Sequence, residues 1–227
     1  MLDWQSIRLT FFLAASAALM LIVIGIPIAW WLASTRWRWR VWVEAVVALP
    51  LVLPPTVLGF YLLLLLGPRG LVGSTIESLF GLRLVFSFPG MLVASVIYSL
   101  PFAVQPFTAG FRAIDRRLVE ASWCLGVSRL GTFFRVVLPL SWPGLLAGTV
   151  LSFSHTIGEF GVILMVGGNI PGSTRTISIS IYDSVQAMDY ASAGWTAGLL
   201  LVFSFFVLSL MYSLQSRTRS PLWPKIS

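Results

Sequence analysis

The chain has 227 residues, 57% of them hydrophobic and only 10% charged, against about 25% charged in ordinary soluble domains. A soluble fold cannot cover that much apolar surface, so the composition excludes a soluble enzyme or binding module and requires a membrane. The formal net charge of +7 comes from 15 Lys and Arg against 8 Asp and Glu, and these bases collect at the ends of apolar runs, which speaks against nucleic acid as a partner.

Five runs are long enough to span: residues 9–35, 45–68, 84–111, 136–165 and 190–216. A bilayer core of about 30 Å needs roughly 20 helical residues at about 1.5 Å each, so each run can cross with some tilt. Barrel strands would be about half as long and would alternate apolar with polar residues. The expectation is an all-α integral membrane protein, with one transmembrane domain over residues 1–227 and five crossings.

The first run is much longer than the about 7 to 15 apolar residues of a signal peptide and is preceded by one base, Arg8. It reads as a retained span. WRWRVW at 37–42 follows it and interleaves Trp with Arg, the pattern of an interfacial anchor with aromatic rings at headgroup level. Pro50, Pro54 and Pro55 stand at the entrance of the second run, where a first-turn proline costs little, so its helix is expected to start there. The third run carries Ser95, Ser99 and Gln105.

Between the third and fourth runs lies the polar, basic segment 112–135. A short helix is expected over 114–125, with Asp115 near its start favoured by the helix dipole and Gly126 supplying a left-handed end. A second segment over 128–137 then runs toward Pro139. A helix-turn-helix of this kind can sit in a groove of a soluble partner, with small Ala121 and Ser122 allowing close approach and Arg129 and Arg135 offering charged contacts. From spacing alone, a passive connector that only sets topology stands equally open. Cys124, the only cysteine, excludes an internal disulfide and offers no metal-site spacing.

The fourth run is free of charge to residue 158 and continues across Glu159 through FGVILMV. Glu159 is the conspicuous intramembrane acid. It is expected either to pair with a base such as Arg175 and fix that end of the span, or to sit protonated beside Gly158 and Gly161, which allow close packing. His155, four residues earlier, can face the same side and share a hydrogen bond; a proton relay is the rival role. The segment 166–189 is rich in Gly, Ser and Thr, too polar to span, and is expected to dip back toward the bilayer or to form short helices packed on the bundle.

The bases orient the chain. Arg36, Arg38, Arg40, Arg112, Arg116, Arg117, Arg129, Arg135, Arg217, Arg219 and Lys225 fall on one side of a five-span topology, and Arg8, Arg69, Arg83 and Arg175 on the other. The positive-inside rule puts the richer side and the C-terminus in the cytoplasm and the N-terminus outside.

The segment EASWCLGVSRLGTFFRVVLP at 120–139, with a Glu-Ala pair, Gly126 six residues after the Glu and Pro139 thirteen beyond, resembles the cytoplasmic EAA loop of bacterial ABC-importer permeases. The third motif position is Ser122, a small-for-small change. LPLVLPPTVLGFYLLLLLGPRG at 49–70, IGEFG at 157–161 and NIPGSTRTISISIY at 169–182 extend the likeness over the whole chain to the permease subunit of molybdate importers, with sulfate, thiosulfate and tungstate permeases as relatives. That resemblance implies the type I importer permease fold in a bacterial or archaeal cytoplasmic membrane. It also implies a homodimer, two cytoplasmic ABC ATPase subunits and a periplasmic or lipid-anchored oxyanion-binding protein. Glu120, Ala121, Ser122, Gly126, Arg129, Leu138 and Pro139 would couple to the ATPase.

No cofactor is expected on this chain, ATP and Mg being held by the partner, because the Walker pattern G-x-x-x-x-G-K-[ST] is missing. No metal site and no nucleophile, base and orienter at a recognisable spacing occur, so no catalytic residue is assigned and the chain is read as a transport subunit rather than an enzyme. An oxyanion path needs sites weak enough to release, and the spans lack internal bases. Hydroxyls would serve: Ser152, Ser154 and Thr156 are the candidates, each able instead to bond its own helix. Glu159 would repel an oxyanion and is rejected as a ligand, leaving Glu159, His155 and Arg175 as structural or gating residues. An ion-coupled transporter using Glu159 and His155 is the rival class. It explains the acid and leaves the loop unexplained.

Overall fold

The computed structural model describes residues 3–218, and within them every regular element is helical. In chain order these are α1 (Trp4–Ser34), α2 (Arg40–Val52), α3 (Pro55–Leu66), α4 (Leu71–Phe80), α5 (Phe88–Arg112), α6 (Arg116–Cys124), α7 (Arg129–Thr132), a π-helical turn (Phe133–Val137), α8 (Leu138–Leu140), α9 (Trp142–Gly158), α10 (Gly161–Gly167), α11 (Ile177–Gln186) and α12 (Tyr190–Thr218). Arg219 and Lys225 of the basic count lie outside the described residues.

Three helices, α1, α5 and α12, are individually long and apolar enough to cross a membrane; the number rises to five if α2 with α3, and the stretch Arg129–Leu140 with α9, each make one bent span. The second expected run is therefore broken. α2 and α3 meet at 111°, and the cause is local: Leu53 and Pro54 are forced into extended conformation by the prolines that follow them (ψ 134° and 137°), and Pro55 opens α3 at its first turn. The fourth run is interrupted twice. The chain bends by 70° at Ser141, before Trp142 and Pro143 open α9. It then leaves the helix at Glu159 (φ −68°, ψ 133°) and Phe160 before α10 resumes.

α1, α5 and α9 pack on one another and form the main core around Leu21, Val104, Phe107 and Leu145. Glycine sets the α5–α9 distance. A Cβ on Gly144 would fall 2.7 Å from the Gly110 Cα, and one on Gly148 would fall 2.6 Å from the Phe107 ring and 2.7 Å from the Ala103 carbonyl oxygen. Close backbone approach through small residues is how helices associate where lipid offers no hydrophobic drive. α12 leans on the bundle through α9 and α11, with Phe203 edge-on to Phe11 at 4.9 Å, and only 6% of its most apolar window is buried.

The segment 166–189 takes the short-helix alternative. α10 and α11 bury Val162, Ile163, Val166, Ile177 and Ile179 against the bundle, and the Ile177 amide donates to the Thr10 hydroxyl of α1 at 2.9 Å. This end also carries the α1 cap: Asp3 accepts from the Gln5 and Ser6 amides and the Ser6 hydroxyl. Burial pushes the Asp3 carboxyl up, and the Ser6 bonds more than offset it, so it titrates below the ordinary range. The basic segment between α5 and α9 lies at the opposite end, beside the last turn of α1.

Candidate functional site

Asp115 opens α6 by accepting from the Arg117 amide at 2.9 Å, and α6 runs to Cys124, within the expected 114–125. Gly126 then takes φ +78°, the left-handed conformation that a side chain would disfavour, while the Val127 amide donates back to the Ser122 carbonyl at 3.1 Å. Ser128 caps α7 by accepting from the Gly131 amide. The chain continues through the π-helical turn into α8, with Pro139 in its first turn.

Two contacts make this loop rigid. The Ser122 and Thr132 hydroxyls lie 2.9 Å apart, buried between α6 and α7. Phe133 packs on Trp30 of α1 at 5.4 Å and on Phe111 of α5 at 6.2 Å, with Val137 fully buried beneath. Of the small pair expected to allow close approach, Ala121 is exposed, whereas Ser122 is buried and its small size closes the two helices of the loop. The sequence reasoning missed Thr132 and Phe133, although an aromatic pair at 133 and 134 in an otherwise polar loop was a visible signal.

Several large apolar side chains of the loop are exposed among its charged ones. Leu125 is 82% exposed and Leu130 70%, flanked by exposed Leu118, Trp123 and Phe134. Ala121 and Cys124 are also exposed. Glu120 pairs with Arg116 at 3.0 Å, an exposed i, i+4 contact of little energetic weight, and Arg129 lies over the Trp123 ring at 6.0 Å. Arg135 and Pro139 are exposed and Leu138 is half-buried.

Inside the bundle, Ser99 of α5 is the hub. Its hydroxyl lies 3.0 Å from the His155 Nδ1 and 3.0 Å from the Thr156 hydroxyl, and the His155 ring stacks on Phe102 at 3.9 Å. Thr156 also donates to the Ser152 carbonyl, and Ser152 to the Thr149 carbonyl. Ser152 and Thr156 are thus buried and satisfied within packed contacts, whereas the Ser154 hydroxyl is buried without a partner among the described residues. Gln105 is exposed and lines a cavity of about 610 Å³ between α2 and α5, together with Glu44, Thr108 and Arg112.

Glu159 is fully packed, and neither carboxyl oxygen has a hydrogen-bond partner among the described residues; Ser95, also unpartnered, is its polar neighbour. The expected pair with Arg175 does not form. Arg175 instead bonds Asn169 at 2.7 Å and Asp183 at 3.2 Å, tying the turn after α10 to α11. His155 turns to Ser99 rather than to Glu159, so the shared hydrogen bond is also absent. Gly161 packs on Pro55 as a close-approach glycine should, while Gly158 faces open space.

Residues 22–220 match the family described as the binding-protein-dependent transport system inner membrane component. The chain is 53% identical to the molybdenum transport system permease protein of Azotobacter vinelandii over 211 residues, 93% of each chain. It is 36% identical to a probable sulfate transport system permease protein of Chlorella vulgaris over 207 residues, 91% of this chain and 77% of that one. Among solved structures it resembles a bacterial ABC transporter involved in alginate import, with a TM-score of 0.77, 17% identity and coverage of 95% of this chain and 79% of that one, a likeness of fold. The helical bundle, its interrupted spans and this family match agree, and the chain belongs to the binding-protein-dependent transport system inner membrane component family, as an all-helical, multi-pass membrane protein.

Proposed function

We propose that this chain is the transmembrane permease subunit of an ATP-driven molybdate importer, forming the oxyanion pathway and coupling it to a cytoplasmic ATPase through the loop at 120–139. The observation that carries the reading is the loop itself: two short helices locked by Ser122 and Thr132, anchored by Phe133 to α1 and α5, with several large apolar side chains exposed. A body tied so firmly to two long helices passes a push from a soluble partner to the spans without absorbing it. Leu125, Leu130 and Phe134 would enter the partner's groove, with Glu120, Ala121, Gly126, Leu138 and Pro139 setting the shape and charge around them.

Two such chains would form the pore between them and carry two ATPase subunits, which hold ATP and Mg. An external oxyanion-binding protein, periplasmic or lipid-anchored, would deliver cargo at the α10–α11 end. ATP-driven closure of the ATPases would swing both loops and open the pore outward; hydrolysis would return it. Of the hydroxyl candidates Ser154 has no partner among the described residues, and Gln105 is exposed at a cavity, so these two are the proposed oxyanion contacts.

Molybdate is favoured over sulfate by the 53% identity to a molybdenum permease against 36% to a sulfate permease. The deciding experiment is reconstitution of the chain with its ABC ATPase and binding protein, measuring ATP hydrolysis and uptake with each oxyanion. Molybdate-stimulated hydrolysis is expected. Stimulation by sulfate alone would change the cargo and keep the mechanism, whereas uptake indifferent to ATP would overturn the mechanism.

A further inference from the structure

A cavity of about 550 Å³ lies at the loop end of the bundle, between the last turn of α1, the last turn of α5 and the inner side of the loop. Its lining combines aromatic side chains, Trp30 and Phe133 among them, with the basic Arg36, Arg112, Arg116 and Arg129. No carboxylate lines it. Arg112 is engaged by Glu44 and the Leu32 carbonyl, and Arg116 by Glu120, but Arg36 and Arg129 have no carboxylate partner among the described residues.

Size and lining narrow the occupant. The space is in the range of a small-molecule site and far exceeds a bare tetrahedral ion, and its mixed aromatic and cationic lining suits a ligand with a charged head and an apolar continuation. The level in the membrane is marked beside it: Trp31, Trp37, Trp39 and Trp42 are all exposed on the adjoining end of α1 and the segment after it, the position of an interfacial aromatic belt. The most exposed apolar residues of the loop, Leu125 and Leu130, do not line the cavity, so a protein docked on them leaves it open to lipid. Basic pockets between spans at an interface bind anionic headgroups.

We propose that this cavity holds the phosphate headgroup of an anionic phospholipid, wedged between the end of α1 and the coupling loop. Arg36 and Arg129 clamp the phosphate, Trp30 and Phe133 receive the glycerol and first methylenes, and the loop is braced by a lipid as well as by protein. The leaflet rests on the orientation proposed above; the binding itself does not.

The test uses the purified full-length chain in mixed micelles of phosphatidylglycerol and phosphatidylcholine, and counts each lipid retained after gel filtration, so it depends neither on cargo nor on an ATPase. Phosphatidylglycerol is expected to be retained in preference. Arg36→Gln should lower its retention about fivefold, the share of one base near a membrane surface, Arg36→Lys should restore most of it, and Arg38→Gln, outside the cavity, should change it little. Equal loss from the Arg36 and Arg38 variants, no preference for the anionic lipid, or displacement by millimolar inorganic phosphate or molybdate would overturn the proposal. If Arg36→Gln does not fold, the lipid preference of the unaltered chain and its resistance to free phosphate decide.

Discussion

The Ser122 and Thr132 hydroxyls, 2.9 Å apart and buried, join α6 to α7 across the turn at Gly126. Removing one partner strands the other, so Ser122→Ala or Thr132→Val alone should each cost about 1 kcal/mol, while the double variant should recover much of the loss. Thermal unfolding of the four proteins gives the cycle. Additive losses would mean that the two hydroxyls do not depend on each other.

Gly126 holds φ +78° with no atom near the position of a Cβ, so a larger residue there meets conformational strain rather than a clash. Gly126→Val should cost about 1 to 2 kcal/mol locally and weaken co-purification of an ABC ATPase while leaving membrane insertion intact. Undiminished recovery of the ATPase with the variant would remove this turn from the docking surface.

The glycines of α9 should divide sharply. Gly148→Val drives atoms into both the Phe107 ring and the Ala103 carbonyl oxygen, and because the second obstacle is backbone, Phe107→Leu should not rescue it; a loss of about 1 to 3 kcal/mol is expected. Gly158→Ala faces open space and should be tolerated. Detergent-solubilised melting temperatures distinguish the two.

Cys124 is exposed on the loop and is the only cysteine, so it reports sidedness without engineering. A membrane-impermeant maleimide should label it in inverted vesicles and spare it in intact cells. The reverse pattern would invert the proposed topology.

Glu159 has neither oxygen partnered, so an unpaired charge there would be costly, and Glu159→Gln keeps the shape without that charge. Near-normal uptake is expected for Glu159→Gln. Arg175→Ala should instead loosen the turn between α10 and α11, read as faster proteolysis there. Abolished uptake in Glu159→Gln would establish an essential carboxylate and revive ion coupling.

The three long helices and the loop were legible in the residues because each rests on local chemistry: apolar runs set α1, α5 and α12, Asp115 starts α6 and Gly126 ends it. What escaped was set by tertiary register. Charge alone allows Arg175 to pair with Glu159, one of two alternatives for that acid, but the turn after α10 carries it toward Asn169 and Asp183. Ser122 reads as a surface residue in a polar segment until α7 folds back over it. The prolines at 54 and 55 mark a helix start, and the helix that precedes them, α2, carries Pro50 inside it rather than at an entrance.

The π-helical turn Phe133–Val137 inserts one residue more than an α turn would hold, and so sets the rotational phase between the loop and α9. Were these five residues to relax to α geometry with none removed, everything before them would rotate by about 100°. Phe133 would swing away from Trp30 and Phe111, and the outer face of the loop would point elsewhere. A partner shaped for that face would meet the wrong side of an otherwise intact helix pair.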